Sequence, residues 1–268
     1  MEKIYLWNGT PPYFDENIPQ DAPSLTPFVS KRSKNEKTGA VIVCAGGSYI
    51  VKTEHEGVDV AKSFAENGFT AFNLDYRVYP YDHKAILADI RRAVKWVRYH
   101  ADEYNIDPEK ICVIGFSAGG HLATLSATNY DLGFYGGDEI DKLSSRPDAA
   151  IISYGVVSLM PPHVHEHTRY VLIGREDEAV REELRHKYSG ELSVNENTPP
   201  IFMWHTADDN CVDVENIINL SSALSKYRIP FEMHIFDKGP HSLGMAKNFP
   251  GAGQWSALAF DWLRRLGF

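Results

Sequence analysis

The chain has 268 residues, of which 43% are hydrophobic and 12% aromatic, so it can bury a substantial core as one globular unit. Its 27 lysines and arginines are outnumbered by 36 aspartates and glutamates, and the formal net charge of −9 argues against nucleic acid or an anionic membrane as a partner. Three cysteines cannot form a full set of internal disulfides, and no apolar run approaches the ~18 to 20 residues of a membrane span or forms a signal peptide. These features predict a single cytoplasmic domain over residues 1–268.

Residues 1–38 are rich in proline and polar residues, and we assign them to an N-terminal edge segment with short strands near 4–7 and 25–29. From residue 39 onward, apolar runs that predict buried strands alternate with segments whose apolar residues fall at helical spacing. The predicted strands cover residues 39–44, 69–74, 110–114, 148–154, 201–205 and 231–236, and the predicted helices cover 57–66, 85–99, 118–128, 213–226 and 252–266. This alternation predicts an α/β fold in which a doubly wound, mostly parallel sheet carries helices on both faces.

Between residues 155 and 200 the alternation loosens into proline-rich and polar turns and a charged helix at 177–186. We interpret this stretch as a short lid insertion that partly covers the site. Tyr135, Met160 and Tyr170 either shape the substrate pocket or serve packing alone.

A G-x-S-x-G motif places Ser117 between Gly115 and Gly119. Because a strand is predicted before the motif and a helix after it, the serine is expected at a sharp turn that presents its hydroxyl group. The N–H of Ala118, at the start of that helix, is the natural first donor to a developing oxyanion. The alternatives are an ordinary surface serine and a phosphate loop, but the lysine and hydroxyl residue of a Walker motif are missing.

A serine hydroxyl becomes a good nucleophile when a histidine removes its proton and a carboxylate fixes the tautomer of that histidine. The chain order expected for this type of fold is serine, acid, histidine. His241 follows the last predicted strand beside a Gly-Pro turn and is the candidate base. Asp208 and Asp209 both follow the preceding strand, and periodicity does not decide between them, whereas Asp213 is better explained as a helix N-cap.

Other histidines are assigned supporting roles. His121, on the helix behind the motif, is expected to be packed and hydrogen-bonded, and His205, at a strand end, lies behind the catalytic groups. His163, His165 and His167 alternate with period two, which could direct three imidazoles at one metal ion. Because no cysteine or acidic fourth ligand stands at a fixed spacing, a solvated lid loop is favoured and no metal is assigned.

From about residue 40 to residue 268, the chain resembles the α/β-hydrolase superfamily. Within it, the chain is most similar to the small esterases grouped with acetyl esterases, xylan acetyl esterases and hormone-sensitive-lipase-like enzymes. The matching pieces are AGGSY at 45–49, LDYRVYP at 74–80, GFSAGGHLA at 115–123, TPP at 198–200 and an H-x-x-x-D-x-x-V loop at 205–212.

The resemblance also implies site residues. In that family the acid follows a histidine by four positions, so the spacing from His205 implies Asp209 rather than Asp208. Ser117, Asp209 and His241 are thereby implied as the catalytic triad.

The oxyanion loop of the family usually reads H-G-G-G or P-G-G-G, whereas this chain has A-G-G-S. By position, the resemblance implies that the N–H groups of Gly47 and Ser48 join that of Ala118 in the oxyanion hole. Ala45 and Ser48 depart from the family pattern but leave the backbone N–H groups in place. Ser48 has fewer backbone conformations than glycine, and its hydroxyl group narrows the pocket.

The resemblance implies a serine carboxylesterase that needs no cofactor and acts on short-chain acyl esters, acetyl above all, of sugars or xylo-oligosaccharides. One alternative is an amide or peptide hydrolase of the same fold, such as an acylaminopeptidase-like enzyme or an arylformamidase. Another is a catalytically inactive relative that binds a ligand. The alcohol half of the substrate and the oligomeric state do not follow from the sequence.

Overall fold

The computed structural model describes residues 2–34, 36–134 and 137–268, so Tyr135 lies outside the described residues. Within these ranges, eight strands form one sheet. They are β1 (Ile4–Tyr5), β2 (Ser24–Phe28), β3 (Thr38–Cys44), β4 (Thr70–Asp75), β5 (Ile106–Phe116), β6 (Ala149–Ser153), β7 (Ile201–Thr206) and β8 (Phe231–Phe236). The order across the sheet is β1-β2-β4-β3-β5-β6-β7-β8.

Strands β3 to β8 run parallel, and β1 and β2 add an antiparallel edge beside β4. The helices are α1 (Glu54–Glu66), α2 (His83–Tyr99), α3 (Ala118–Thr128), α4 (Glu166–Ile173), α5 (Glu178–Lys187), α6 (Gly190–Ser193), α7 (Glu215–Lys226) and α8 (Trp255–Arg265). The predicted doubly wound, mostly parallel α/β sheet is confirmed. Helices α4 and α6 are not among the predicted elements.

The core lies on both faces of the sheet, because side chains alternate along each strand. In β3, every residue is buried, and Val41 and Ile42 belong to different apolar clusters. Ile42 packs in the cluster that includes the apolar faces of α2, α3 and α7, whereas Val41 packs in the one that includes α1 and α8. Continuous burial explains why these strands read as unbroken apolar runs.

The carboxyl ends of β3, β5, β7 and β8 lie at the same edge of the sheet, since these strands are parallel. Ligands of open α/β sheets bind at this edge. The loops that follow these four strands therefore meet there, and they carry the candidate site residues.

Strands β1 and β2, which make the antiparallel edge, fall within the stretch 1–38, and α4, α5 and α6 lie within residues 155–200. The assignment of these stretches as edge segment and lid within a single domain stays a prediction. Among the helices of the described residues, none combines the length and the apolar character needed to cross a bilayer.

Candidate active site

Ser117 joins β5 directly to α3, with φ 54° and ψ −118°. A positive φ is uncommon for a residue with a side chain and persists when the surroundings hold it in place. Here the Ser117 N–H donates to the carbonyl of Ser153, and the Ser117 carbonyl accepts from the N–H groups of His121 and Val156. The backbone thus makes the sharp strand-to-helix turn of a nucleophile elbow.

The two glycines of the motif are required by close packing. A Cβ atom at Gly115 would lie 1.8 Å from the carbonyl oxygen of Gly119, and one at Gly119 would lie 2.1 Å from the carbonyl oxygen of Cys44. Both distances are far below any tolerable contact. The missing side chains let α3 approach β3 and bring the loop after β3 against Ser117.

His241 contacts both other members of the predicted triad. Its Nε2 lies 2.8 Å from Oγ of Ser117, and its Nδ1 lies 2.7 Å from Oδ2 of Asp209. The second carboxylate oxygen of Asp209 accepts the N–H groups of Cys211 and Val212. The structure therefore brings together the serine, the histidine and the aspartate that sequence reasoning singled out.

The electrostatic surroundings of Asp209 favour its ionised form. Burial acts to raise the pKa of this carboxyl. The hydrogen bond and charge interaction with His241 act to lower it, as do the two backbone N–H groups, and together they exceed the effect of burial. The pKa of Asp209 therefore lies below its usual value. An ionised acceptor at Nδ1 leaves Nε2 of a neutral imidazole free to accept the serine proton.

Asp208 has a different partner from its neighbour Asp209. Its Oδ1 accepts the N–H of Gly239 at 2.8 Å, which ties the loop after β7 to the loop after β8. Asp213 accepts the N–H of Glu215 at the start of α7, in line with the predicted capping role, although Val214 is the N-cap residue itself. Of the three aspartates, Asp209 is the one that contacts His241.

The loop after β3, residues 45–53, turns sharply beside the elbow. Gly47, Ser48 and Tyr49 have φ values of 128°, 54° and 61°. Within the described part of the chain, the N–H groups of Gly47, Ser48 and Ala118 donate no hydrogen bond. Unpaired donors at this edge are what an oxyanion hole requires, and the assignment of these three N–H groups to it stays a prediction.

Four of the other histidines have identifiable partners. His121 is buried and hydrogen-bonded through both ring nitrogens, as expected. His205 is buried, with Nδ1 4.0 Å from Oδ2 of Asp209, and burial lowers its pKa. His163 bonds to Asp213 through Nδ1, and Nε2 of His165 lies 3.7 Å from Sγ of Cys211.

The described residues contain one group of three side chains close enough to share a metal ion, formed by Asp82, His83 and Glu176. His163, His165 and His167 are not part of it. Glu176 is already paired with Lys84 at 2.8 Å, so the group carries its own counter-charge.

Glu56 was not expected at the site. It lies on α1, is buried, and its carboxylate accepts the N–H of Gly46 in the loop after β3. The available signal was its spacing: Glu56, Val60 and Phe64 share one face of α1, and a carboxylate on the apolar face of an amphipathic helix needs a partner.

The open parallel sheet, the elbow and the serine–histidine–aspartate contacts define the class of protein as an α/β-hydrolase. Residues 28–224 match the BD-FAE family, and the chain belongs to that family.

The chain is similar to several named enzymes. It is 35% identical over 226 residues to endo-1,4-beta-xylanase B of Butyrivibrio fibrisolvens, covering 82% of this chain and 35% of that protein. It is 26% identical to an acetylxylan esterase of Xylanibacter ruminicola, covering 87% of this chain and 47% of that protein. The chain thus spans between about a third and a half of the length of these two curated relatives.

One solved structure resembles this chain over nearly the full length of both proteins. The crystal structure of an acetyl ester-xyloside bifunctional hydrolase from Caldicellulosiruptor lactoaceticus has a TM-score of 0.94 and 38% identity, covering 100% of this chain and 97% of that one. Further relatives are a probable carboxylic ester hydrolase and an esterase of Mycobacterium tuberculosis. Several of the proteins to which the chain is similar are thus named as esterases or carboxylic ester hydrolases.

Proposed function

We propose that the chain is a serine carboxylesterase that hydrolyses short-chain acyl esters, above all acetyl esters of sugars or xylo-oligosaccharides. The observation that carries the proposal is the continuous contact from Oγ of Ser117 through His241 to Asp209. The sugar part of the proposal is supported by the named acetylxylan esterase and acetyl ester-xyloside hydrolase relatives.

In the proposed reaction, Oγ of Ser117 attacks the acyl carbonyl while Nε2 of His241 takes the serine proton. The carbonyl oxygen gains the negative charge, which the N–H groups of Gly47, Ser48 and Ala118 stabilise. When the tetrahedral intermediate collapses, the bond to the alcohol breaks and the imidazolium returns its proton to the leaving alcohol.

The acyl-enzyme is then hydrolysed by water. His241 takes a proton from the attacking water, and the second tetrahedral intermediate releases the acid and restores the Ser117 hydroxyl group. Asp209 holds the imidazole in one tautomer through Nδ1 in both halves of the cycle. These steps use residues of the chain alone.

We also propose that residues 155–200 form a lid over one side of the site. Two contacts support the placement: Nδ1 of His163 lies 2.7 Å from Asp213, and His165 lies beside Cys211, on the loop that carries the acid. Met160 is partly buried and Tyr170 is exposed.

The test compares the wild type with Ser117→Ala on p-nitrophenyl acetate, p-nitrophenyl butyrate, acetylated xylo-oligosaccharides and N-formylkynurenine. We expect acetate esters to be turned over fastest and Ser117→Ala to lose at least about 10³-fold in kcat. Full acetyl-ester turnover by Ser117→Ala would refute the assignment. Preference for N-formylkynurenine would indicate an arylformamidase, and failure of a fluorophosphonate to label Ser117 would indicate an inactive relative.

A further inference from the structure

The carboxylate of Glu56 is almost completely buried and has four hydrogen-bond donors. Oε2 accepts the N–H of Gly46 at 3.0 Å and the hydroxyl of Thr53, and Oε1 accepts the hydroxyls of Tyr154 at 2.8 Å and Ser242 at 2.9 Å. The side chain is 1% exposed. Each oxygen thus accepts two hydrogen bonds, which compensates for the loss of hydration.

The four donors come from three separate loops at the carboxyl edge of the sheet. Gly46 and Thr53 lie on the loop after β3, which also carries Gly47 and Ser48. Tyr154 follows β6, and Ser242 follows β8. Thr53 is the N-cap residue of α1, whereas the other three donors lie outside that helix, so the carboxylate connects the start of α1 to three loops.

Two of these donors lie directly against the candidate base. Ser242 is the chain neighbour of His241, and the ring of Tyr154 packs edge-on against the imidazole with centroids 5.1 Å apart. The Tyr154 hydroxyl also accepts the N–H of Gly244, further along the same loop. Glu56 therefore restrains the segment that carries His241 from two sides.

The other end of the network lies beside the nucleophile. A Cβ atom at Gly46 would lie 3.0 Å from Cβ of Ser117 and 2.6 Å from Oε2 of Glu56. Gly46 is therefore in contact with both residues. Through its N–H, the carboxylate fixes the loop that is proposed to supply oxyanion donors.

We propose that Glu56 is a positioning residue for acyl transfer, which sets the distance between the oxyanion loop and the imidazole of His241. This inference rests on the proposed function. Glu56 does not contact Ser117 in the described structure, so it acts through the groups that it holds. Small errors in the placement of oxyanion donors and base are costly, because their contribution depends on preorganised geometry.

The experiment measures kcat, KM and thermal midpoint for Glu56→Ala and Glu56→Gln with p-nitrophenyl acetate. We expect Glu56→Ala to lower kcat by about 10²-fold while KM changes by less than about threefold. Glu56→Gln keeps one oxygen that can accept Gly46 and Thr53, so it is expected to recover part of the lost kcat.

A matched control separates positioning from simple loss of stability. Asp89 is also a completely buried carboxylate, but it is paired with Arg77 at 2.6 Å, and Arg77 is not a residue of the proposed site. Asp89→Asn is expected to lower the thermal midpoint but to leave kcat within about twofold at a temperature where it is folded.

A second variant covers the case in which Glu56→Ala fails to fold. Ser242→Ala removes one donor to the carboxylate and leaves the other three in place, and we expect kcat to fall by about five- to tenfold. The inference is overturned if folded Glu56→Ala or Ser242→Ala keeps wild-type kcat, or if Asp89→Asn loses as much kcat as Glu56→Ala. If Ser117→Ala is inactive in those cases, the inference fails but the proposed function is unaffected. If Ser117→Ala is active, the proposed function is refuted as well.

Discussion

The hydroxyl of Tyr49 donates a hydrogen bond of 2.8 Å to Nδ1 of His121, and both side chains are completely buried. Nε2 of His121 lies 2.8 Å from the carbonyl of Tyr188. A carbonyl accepts, so Nε2 carries the proton and Nδ1 is the acceptor. The pair connects the loop beside Ser48 to the helix behind the elbow and to the stretch proposed as a lid.

The stability of the protein should depend on pH through His121. Burial lowers the pKa of this imidazole from 6.5 to about 4. The unfolded chain then binds a proton at a higher pH than the folded chain does, so the contribution to stability is complete above pH ~6.5 and is lost as the pH falls towards ~4.

Urea unfolding at pH 7 and pH 5 checks this prediction with His121→Gln as the comparison, since glutamine does not titrate in this range. We expect the stability advantage of the wild type over the variant to shrink by about 2 kcal/mol at pH 5. An advantage that is equal at the two pH values would contradict it.

Removing the donor from this pair should also destabilise the fold. Tyr49→Phe leaves Nδ1 of buried His121 without its hydrogen bond, and we expect the free energy of unfolding to fall by about 1–3 kcal/mol. Tyr5→Phe, at a half-exposed position, is the control and should change stability by less than about 0.5 kcal/mol. Equal effects of the two substitutions would show that the buried bond contributes nothing measurable.

The two neighbouring aspartates should differ sharply in their effect on turnover. Asp209→Asn removes the acceptor that orients Nδ1 of His241, and we expect kcat to fall by roughly 10³- to 10⁴-fold. Asp208→Asn keeps an oxygen that can accept the N–H of Gly239, so kcat should stay within about threefold. The measurement is steady-state turnover of p-nitrophenyl acetate, and similar losses in both variants would argue against Asp209 as the acid.

The close approach of the first turn of α3 to the end of β5 should make Gly115 irreplaceable. Gly115→Ala would force a Cβ atom into the backbone of Gly119, and we expect a loss of at least about 3 kcal/mol in the free energy of unfolding. Gly9→Ala is the matched control, because an added Cβ there meets no atom within 4 Å. A stable, active Gly115→Ala protein would mean that the packing can relax.

Much of the sheet could be predicted, because strands buried on both faces appear as continuous apolar runs. Strand β5 is longer than predicted, since it begins at Ile106 and includes Pro108. Pro108 looks like a break, but Ile106 still pairs with Thr38 ahead of a register shift. Helix α4 was missed because Val171, Leu172 and Ile173 are contiguous rather than helically spaced.

The candidate site could be predicted only in part, because some of its residues are defined by contacts between separate loops. Ser117 and His241 each follow a strand in a recognisable local context, so sequence order places them at one edge. Asp208 and Asp209 are adjacent, and the folded loop decides which of the two contacts His241. Thr53 and Glu56 have the spacing of a capping box at the start of α1, but Tyr154 and Ser242 lie on loops that are distant in sequence, so their contacts with Glu56 could not be predicted.

Cys211, which contacts His165, is a native position at which a fluorescent dye can be attached next to the proposed site. Cys211 is exposed beside Asp209, whereas Cys44 and Cys112 are buried. Burial raises the pKa of all three thiols, so accessibility is what distinguishes Cys211. A maleimide dye should therefore modify a single thiol in the native protein and all three in urea. Its fluorescence would follow ligand entry next to the acid, without any engineered substitution.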